Sequence, residues 1–327
     1  ILAGNGVVRS NAAQQLCDFA DRLNIPVANT FMAKGVIPFR HRCALGSAGL
    51  QSTDYVSCGF DKADVIICVG YDLVEYHPYL WHPDSDRTII HIDHSPAEVD
   101  AHYPVAVDVT GDIKHSLERI AGLARPHEGK HIRPLRERLV EEMNQHRDDL
   151  EFPVKPQKII WELRTALNLE DIVVCDVGAH KMWMARMFRC EYPNTCIISN
   201  GFASMGIAVP GAIAARLAEP DRRVVAVTGD AGFMMNSQEI ETAIRYGLDI
   251  VILIWNDSSY GLIEWKQMNH YQRISNVRFD NPDFVKYTES FGANGYRVER
   301  TADLPTILEA ALSNGGVSII DCPVDYR

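Results

Sequence analysis

Two acidic residues stand directly behind two of the most apolar stretches of this 327-residue sequence. Asp230 follows the run 224–228 after one glycine, and Asp257 follows the run 250–255 after one asparagine. Short runs of apolar, largely β-branched residues predict buried strands of a parallel sheet. Ligands of such sheets collect beyond the carboxyl ends of the strands, so we expect the two carboxylates, 27 positions apart, to meet there. Converging carboxylate oxygens form a site for a hard divalent cation.

The residues around the first acid favour a phosphate group beside this cation. Gly229 and Gly232 let the backbone pass close to a ligand. A helix start after a strand presents amides to an anion, so the amides of Ala231 and Gly232 are candidates to bind phosphate oxygens. Asn236 and Glu239 have the spacing of a capping box, which predicts that the helix begins there. For this segment alone, a plain strand–turn–helix with a solvated acid is an equal alternative.

The second acid favours a cation site over a plain strand–turn–helix with a solvated acid. Behind its strand, Asp257 offers a carboxylate and Ser259 offers a backbone carbonyl. With Asp230, two phosphate oxygens and a water, these groups complete the six oxygen ligands that Mg²⁺ prefers. The excess negative charge must then be balanced by backbone amides and helix dipoles. The sequence therefore predicts a magnesium ion that holds a diphosphate.

The composition bounds the class of protein. A chain of this length predicts two domains, and 46% hydrophobic with 23% charged residues is ordinary for a soluble globular protein. The net charge of −11 argues against a nucleic acid or an anionic membrane as partner. No apolar run approaches the roughly 20 residues that span a bilayer. Eight cysteines without a CxxC pair predict buried, reduced thiols in a cytoplasmic protein.

Strand and helix patterns alternate along the chain, which predicts an α/β fold with two doubly wound, mostly parallel-sheet domains. Residues 1–125 are predicted to form a Rossmann-like domain. Residues 126–155 are charged and rich in proline, and we interpret them as a linker with an exposed helix over 135–150. Residues 156–327 are predicted to form the domain that carries the cation site. The chain begins in mid-strand at Ile1, so we expect it to be a fragment.

The first half carries two weaker signals of nucleotide binding. Gly4-Asn5-Gly6 follows a strand and is a possible phosphate loop, and Asp93 ends a strand where a ribose-binding acid stands in dinucleotide sites. The full G-x-G-x-x-G motif is absent, because position 9 is Arg. The favoured alternative is a domain that packs against and orients its neighbours.

The cation motif carries a family resemblance. Gly229-Asp230-Ala231 followed by Asn256-Asp257 resembles the thiamin-diphosphate signature, usually GDG or GDA with NN or ND downstream. The second half, 156–326, resembles the diphosphate-binding domain of acetolactate synthases, and the first half resembles their middle domain. Three segments are most similar to the catabolic, FAD-independent branch: 71–81, 255–258 and 324–326.

The resemblance implies thiamin diphosphate and Mg²⁺ as cofactors, and makes FAD unlikely. It assigns the metal to Asp230, Asp257 and the carbonyl of Ser259. Ala203 is implied to face the 4′-amino group of the cofactor, and Met205 to support its bent form from below without a competing hydrogen bond, with ordinary core packing as the alternative. The implied cofactor positions, together with these, are Gly178, His180, Gly201, Gly229, Ala231, Gly232, Tyr260, Gly261 and Leu262.

A substrate pocket is implied at Ile263, Trp265 and Lys266. Related enzymes place Gln or Trp over the substrate at the last of these positions. A lysine there either meets the carboxylate of pyruvate or points to water, and we weigh the two equally. Trp265 is a candidate for the wall of the pocket.

The implied activity is the condensation of two pyruvates to 2-acetolactate and CO₂ by a cytoplasmic homodimer or homotetramer. Another carboligase, a decarboxylase or an oxidase of 2-oxo acids, and a truncated non-catalytic paralogue, are the alternatives. A nicotinamide- or flavin-dependent oxidoreductase that uses the first half is the rival class. The family's N-terminal domain supplies a catalytic glutamate that nothing here matches. We therefore expect no catalytic residue in this chain, and no turnover of pyruvate by these residues alone.

Overall fold

A computed structural model describes residues 1–49, 59–98, 100–129 and 132–326 of the chain. The chain forms two compact units, one of Ile1–Asn144 with Arg189–Thr195 and one of Gln145–Phe188 with Cys196–Arg327. The domain boundaries at 125 and 155 stay a prediction.

The first unit is built on a six-stranded sheet in which every pairing is parallel. Its strands are β1 Leu2–Ala3, β2 Val27–Asn29, β3 Ala44–Ser47, β4 Val65–Val69, β5 Thr88–Asp93 and β6 Val105–Thr110. They lie in the order β3-β2-β1-β4-β5-β6, which is that of a Rossmann fold. The order reverses between β1 and β4, so a crevice is expected beyond their carboxyl ends.

Helices of the first unit cover this sheet. They are α1 Asn5–Arg9, α2 Ala13–Leu23, α3 Ile113–Leu123 and α4 Ile132–Asn144. Helix α2 buries Leu16, Phe19, Ala20 and Leu23, the residues that helical spacing places on one face. Helix α4 belongs to this unit and overlaps the segment interpreted as a linker.

The second unit has a sheet of the same kind, again with every pairing parallel. Its strands are β7 Ile172–Cys175, β8 Cys196–Ile198, β9 Val224–Gly229, β10 Ile250–Asn256, β11 Asn294–Arg297 and β12 Val317–Pro323. They lie in the order β11-β12-β10-β9-β7-β8. The inner strands β9, β10 and β12 are buried almost throughout. This is why β9 and β10 are apolar along most of their length, whereas β12 also buries Ser318 and Asp321.

The helices of the second unit connect these strands. They are α5 Pro156–Ala166, α6 Ala179–Met187, α7 Ala208–Ala218, α8 Asp230–Asn236, α9 Glu239–Arg245, α10 Gly261–Tyr271, α11 Phe284–Ser290 and α12 Leu304–Ser313. A helix does begin beside the predicted capping box, at Glu239, but Asn236 does not cap it. Asn236 is the last residue of the preceding helix α8, which begins at Asp230 directly behind β9. Asn236 instead donates a hydrogen bond of 2.9 Å from Nδ2 to the carbonyl of Gly206.

The two parallel sheets and their helices confirm the predicted fold class. Among the described residues, no helix has both the length and the apolar character needed to cross a bilayer. The seven cysteines in the described ranges are free thiols, and all but Cys17 are buried. Cys58 lies outside the described residues.

Candidate metal and diphosphate site

The register of the second sheet brings the two motif segments to one edge. Strands β9 and β10 are neighbours, and Gly229 pairs with Trp255. Each strand ends within one residue of this pair, so Asp230 and Asp257 follow from adjacent strand ends. This is the arrangement that the two apolar runs predict.

The carboxylate of Asp230 is buried, with 1% of the residue exposed. It accepts hydrogen bonds from the amide of Ala231 at 2.8 Å, the amide of Ser258 at 2.7 Å and Nδ2 of Asn281 at 2.7 Å. Burial raises the pKa of Asp230, and these donors oppose the rise. The amide of Ala231, a candidate phosphate donor, therefore donates to the side chain of Asp230.

Asp257 lies close enough to Asp230 for the charges of the two carboxylates to interact. Burial, and then the charge of Asp230, raise the pKa of Asp257 to about 7. Its carboxylate packs against Gly261, where an added Cβ would lie 2.7 Å from Oδ2. Within the described residues, neither acid has a salt-bridge partner. A buried and a half-buried carboxylate without a counter-ion form a site that a cation would stabilise.

The chain turns sharply after β10, at Ser258, whose φ is +53°. A short antiparallel bridge then holds the turn, with the amide of Tyr260 donating to Val277 and the amide of Phe279 donating to Ser258. Ser259 is buried, and these two bonds use its neighbours' backbone groups rather than its own carbonyl. The Ser259 hydroxyl donates to Glu264.

His180 is packed into the same end of the sheet. Its ring lies over Gly178, where a Cβ would come within 2.8 Å of it, and also approaches Gly229. Burial lowers the pKa of His180 to about 4, although Asp176 opposes this. Its Nε2 is buried and has no hydrogen-bond partner within the described part of the chain. A buried nitrogen in that state is suited to a polar group of a ligand.

The turn after β8 holds Gly201, Ala203 and Met205. Gly201 is exposed, and Ala203 and Met205 are half-buried. Ala203 has a φ of +48°, a conformation that costs a residue with a Cβ about 1–2 kcal/mol. Such backbone strain persists where surrounding contacts enforce it, and it is commonest at functional sites.

Asp176 binds the backbone of the residues that follow this turn. Its buried carboxylate accepts hydrogen bonds from the amide of Gly206 at 2.9 Å, the amide of Ala208 at 3.3 Å and the hydroxyl of Thr228 at 3.1 Å. It also lies 3.2 Å from where a Cβ on Gly232 would stand. The sequence interpretation gave Asp176 no role, although it follows a buried strand just as the other two acids do.

Residues 260–266 lie on or beside helix α10, which has no buried residue. Tyr260, Gly261 and Leu262 are half-buried near the turn. Ile263, Trp265 and Lys266 are exposed, so the structure places the predicted pocket residues on the surface of the helix.

The crevice of the first unit is filled by the chain itself. The carboxylate of Glu75 accepts hydrogen bonds from the amide of Asn5, at 2.9 and 3.1 Å, and from the hydroxyl of Thr30. A Cβ on Gly4 or Gly6 would meet the backbone of Gly70 within 2.5 Å. Close packing therefore accounts for both glycines, without a nucleotide phosphate.

Two family models match the chain. Residues 1–120 match the central domain of thiamine pyrophosphate enzymes, and residues 176–322 match their C-terminal, thiamine pyrophosphate-binding domain. The fold and the site thus define a class, and this chain belongs to the thiamine pyrophosphate enzymes.

Similar proteins narrow the class further. The chain is 36% identical over 332 residues to the acetolactate synthase of Bacillus subtilis, covering 100% of this chain and 58% of that protein. It is 33% identical over 339 residues to the probable acetolactate synthase large subunit of Methanocaldococcus jannaschii, covering 99% and 57%. It is 36% identical over 272 residues to the catabolic acetolactate synthase of Raoultella terrigena, covering 81% and 48%. The chain therefore spans less than two thirds of the length of these relatives.

Proposed function

We propose that the second unit binds thiamin diphosphate through a Mg²⁺ ion. Asp230, Asp257 and the carbonyl of Ser259 would hold the ion. The observation that carries this proposal is the convergence of two carboxylates, Asp230 buried and Asp257 half-buried, without a counter-ion among the described residues, in a domain of the thiamine pyrophosphate-binding family. A divalent cation would remove the repulsion between them.

The remaining residues of the site have complementary roles in this proposal. The first turn of α8 and the Gly178–His180 turn would lie at the diphosphate, and Nε2 of His180 would bond to it. A Cβ at Gly229, Gly232 or Gly261 would crowd His180, Asp176 or Asp257, respectively, so the three glycines let these side chains keep their positions. Gly201, Ala203 and Met205 would support the organic part of the cofactor, and Tyr260 and Leu262 would shield it from water.

The proposed activity is that of an acetolactate synthase, which joins two pyruvates to give 2-acetolactate and CO₂. When bound, thiamin diphosphate supplies the electron sink for loss of CO₂ from a 2-oxo acid. This chain would anchor the cofactor, exclude water and offer Ile263, Trp265 and Lys266 to the substrate. Another carboligase, a decarboxylase or an oxidase of 2-oxo acids would use the same anchoring residues, and no flavin is needed for the condensation. We further propose a cytoplasmic homodimer or homotetramer.

Substitution of one metal ligand tests the proposal. Asp230→Asn keeps the shape of the side chain and removes its charge, so we expect Mg²⁺-dependent binding of thiamin diphosphate to weaken on the order of 100-fold. Calorimetric titration of the cofactor, with and without Mg²⁺, measures the effect on the purified protein.

Asp249→Asn is the matched control, because Asp249 precedes β10 at the opposite end of the sheet, where it contacts Arg216 and the amide of Gly316. Its cofactor affinity should be unchanged. Equal binding with and without Mg²⁺ by the unsubstituted protein would contradict the proposed site.

A further inference from the structure

Asn281 joins the two strand ends of the proposed metal site, although it stands 51 residues from Asp230 in the sequence. Its Nδ2 donates to Oδ2 of Asp230 at 2.7 Å and to Oδ1 of Asn256 at 3.0 Å. The hydroxyl of Ser258 lies 3.4 Å from the same nitrogen. One amide group therefore contacts the acid behind β9 and two residues at the end of β10.

The orientation of the Asn281 side-chain amide follows from the two acids, Asp230 and Asp321, at the ends of this hydrogen-bond network. Asn256 directs its own Nδ2 to Oδ1 of Asp321 at 2.8 Å. An ionised carboxylate only accepts hydrogen bonds, so Asn256 must turn its oxygen towards Asn281. Asn281 in turn must present its NH₂ group to Asn256 and Asp230. The network is consistent in this one orientation of both amides.

Contacts that do not involve the Asn281 side chain hold the backbone around it. Arg297 donates to Asp321 at 3.1 Å and to Asp283 at 2.7 Å. Asp283 also caps helix α11 by accepting from the amide of Lys286. The segment that carries Asn281 is thus tied to β11 and β12 on one side and reaches the acid behind β9 with its side chain.

We propose that Asn281 is a positioning residue of the metal site. This inference rests on the proposed function. A neutral donor fixes the rotamer of the Asp230 carboxylate but leaves its charge available to the cation, whereas a lysine or arginine would neutralise it. By bonding Asp230 and Asn256 at once, Asn281 also sets the relative position of the two strand ends that supply the ligands. Partners of this kind typically change metal affinity 10- to 100-fold when removed.

The test is the affinity for Mg²⁺ at saturating thiamin diphosphate, measured by calorimetry on the purified protein. We expect Asn281→Ala to raise the Kd for Mg²⁺ at least about tenfold. Asn281→Leu, which keeps the bulk of the side chain and removes its donor, should give the same result. Asn294→Ala is the matched control, because Asn294 donates two hydrogen bonds, to Gly315 and Ser318, at the amino end of the same sheet. Its Kd for Mg²⁺ should be unchanged.

The outcomes separate this inference from the proposed function. Unchanged Mg²⁺ affinity in both Asn281 variants would overturn the positioning role. Equal weakening in the Asn294 control would also overturn it, since general loss of stability would then explain the effect. Absence of any Mg²⁺-dependent binding in the unsubstituted protein would overturn the proposed function itself.

Discussion

Half-buried Asp257 and buried His180 lie at one end of a sheet, and the pKa values of these two groups shift in opposite directions. Asp257 has a pKa of about 7 because burial and the neighbouring Asp230 both disfavour its charged form. His180 has a pKa of about 4, because burial disfavours the imidazolium. Burial thus favours the neutral carboxyl of Asp257 near neutral pH and the neutral imidazole of His180 at mildly acidic pH. In the proposed function, a bound cation and a bound diphosphate would supply charges that compensate for the burial of these two groups.

The pKa of His180 predicts a pH-dependent stability. An unfolded histidine titrates near 6.5, so between about pH 6.5 and 4 the unfolded state binds a proton that the folded state does not. The contribution of His180 to stability is thus full above pH 6.5 and falls as pH decreases to about 4. We expect the free energy of unfolding to lose on the order of 2 kcal/mol more in the unsubstituted protein than in His180→Asn over this range.

Urea unfolding of the ligand-free protein at several pH values measures the difference. Parallel curves for the protein and the His180→Asn variant would show that burial does not suppress protonation of this ring.

Helix α10 begins at Gly261, which has no side chain and so leaves room for the carboxylate of Asp257 in the preceding turn. Gly261 does not have a left-handed φ, so a larger residue there is opposed by the carboxylate of Asp257 rather than by the backbone conformation. An added Cβ would stand 2.7 Å from Oδ2 of Asp257, closer than such atoms can approach. The start of α10 and the position of the metal ligand are therefore coupled.

Gly261→Ala should separate binding from stability. Alanine is a better helix former than glycine by up to about 1 kcal/mol, so we expect little loss of stability. The displaced Asp257 should weaken Mg²⁺ binding at least about tenfold. Gly122→Ala is the control, because Gly122 lies in helix α3 and has open space around its Cβ position. It should stabilise the protein slightly without changing Mg²⁺ affinity. Wild-type Mg²⁺ affinity in Gly261→Ala would mean that Asp257 is not a ligand.

The two sheets differ in what lies beyond their carboxyl ends. In the second unit, two acids and a histidine nitrogen that has no hydrogen-bond partner among the described residues leave polar groups for a ligand to satisfy. In the first unit, Glu75 already satisfies the amide of Asn5 in the crevice between β1 and β4. Only the second arrangement gains electrostatic energy from a bound cation and phosphate.

Thermal unfolding with a panel of ligands tests this difference. Thiamin diphosphate with Mg²⁺, at 100 times its Kd, should stabilise the folded protein by about 2.7 kcal/mol and raise its Tm. FAD and NAD⁺ should leave the Tm unchanged, because Glu75 competes for the position of a phosphate. A rise in Tm with FAD alone would instead favour the oxidoreductase alternative.

Central strands were easier to predict from the sequence than edge strands. Strands β9 and β10 were evident because burial on both faces requires apolar residues at every position. Strand β6 was missed, because its residues are mostly exposed and form no apolar run. Asn236 suggested a helix start by its spacing to Glu239, but its side chain bonds to Gly206, a contact that local spacing does not encode.

The sequence by itself determined the alternation of strand and helix, and it marked Asp230 and Asp257 as acids behind neighbouring strands. Those features are local, because burial and backbone geometry fix residue types over a few positions. Tertiary structure alone decided the partners of these acids. Asn281 meets Asp230 from 51 positions away, Asp176 accepts from the amide of Gly206 across 30 positions, and Glu75 reaches Asn5 across 70 positions. A hydrogen bond between distant residues requires one compatible side chain at one point, and so leaves no periodic pattern in the sequence.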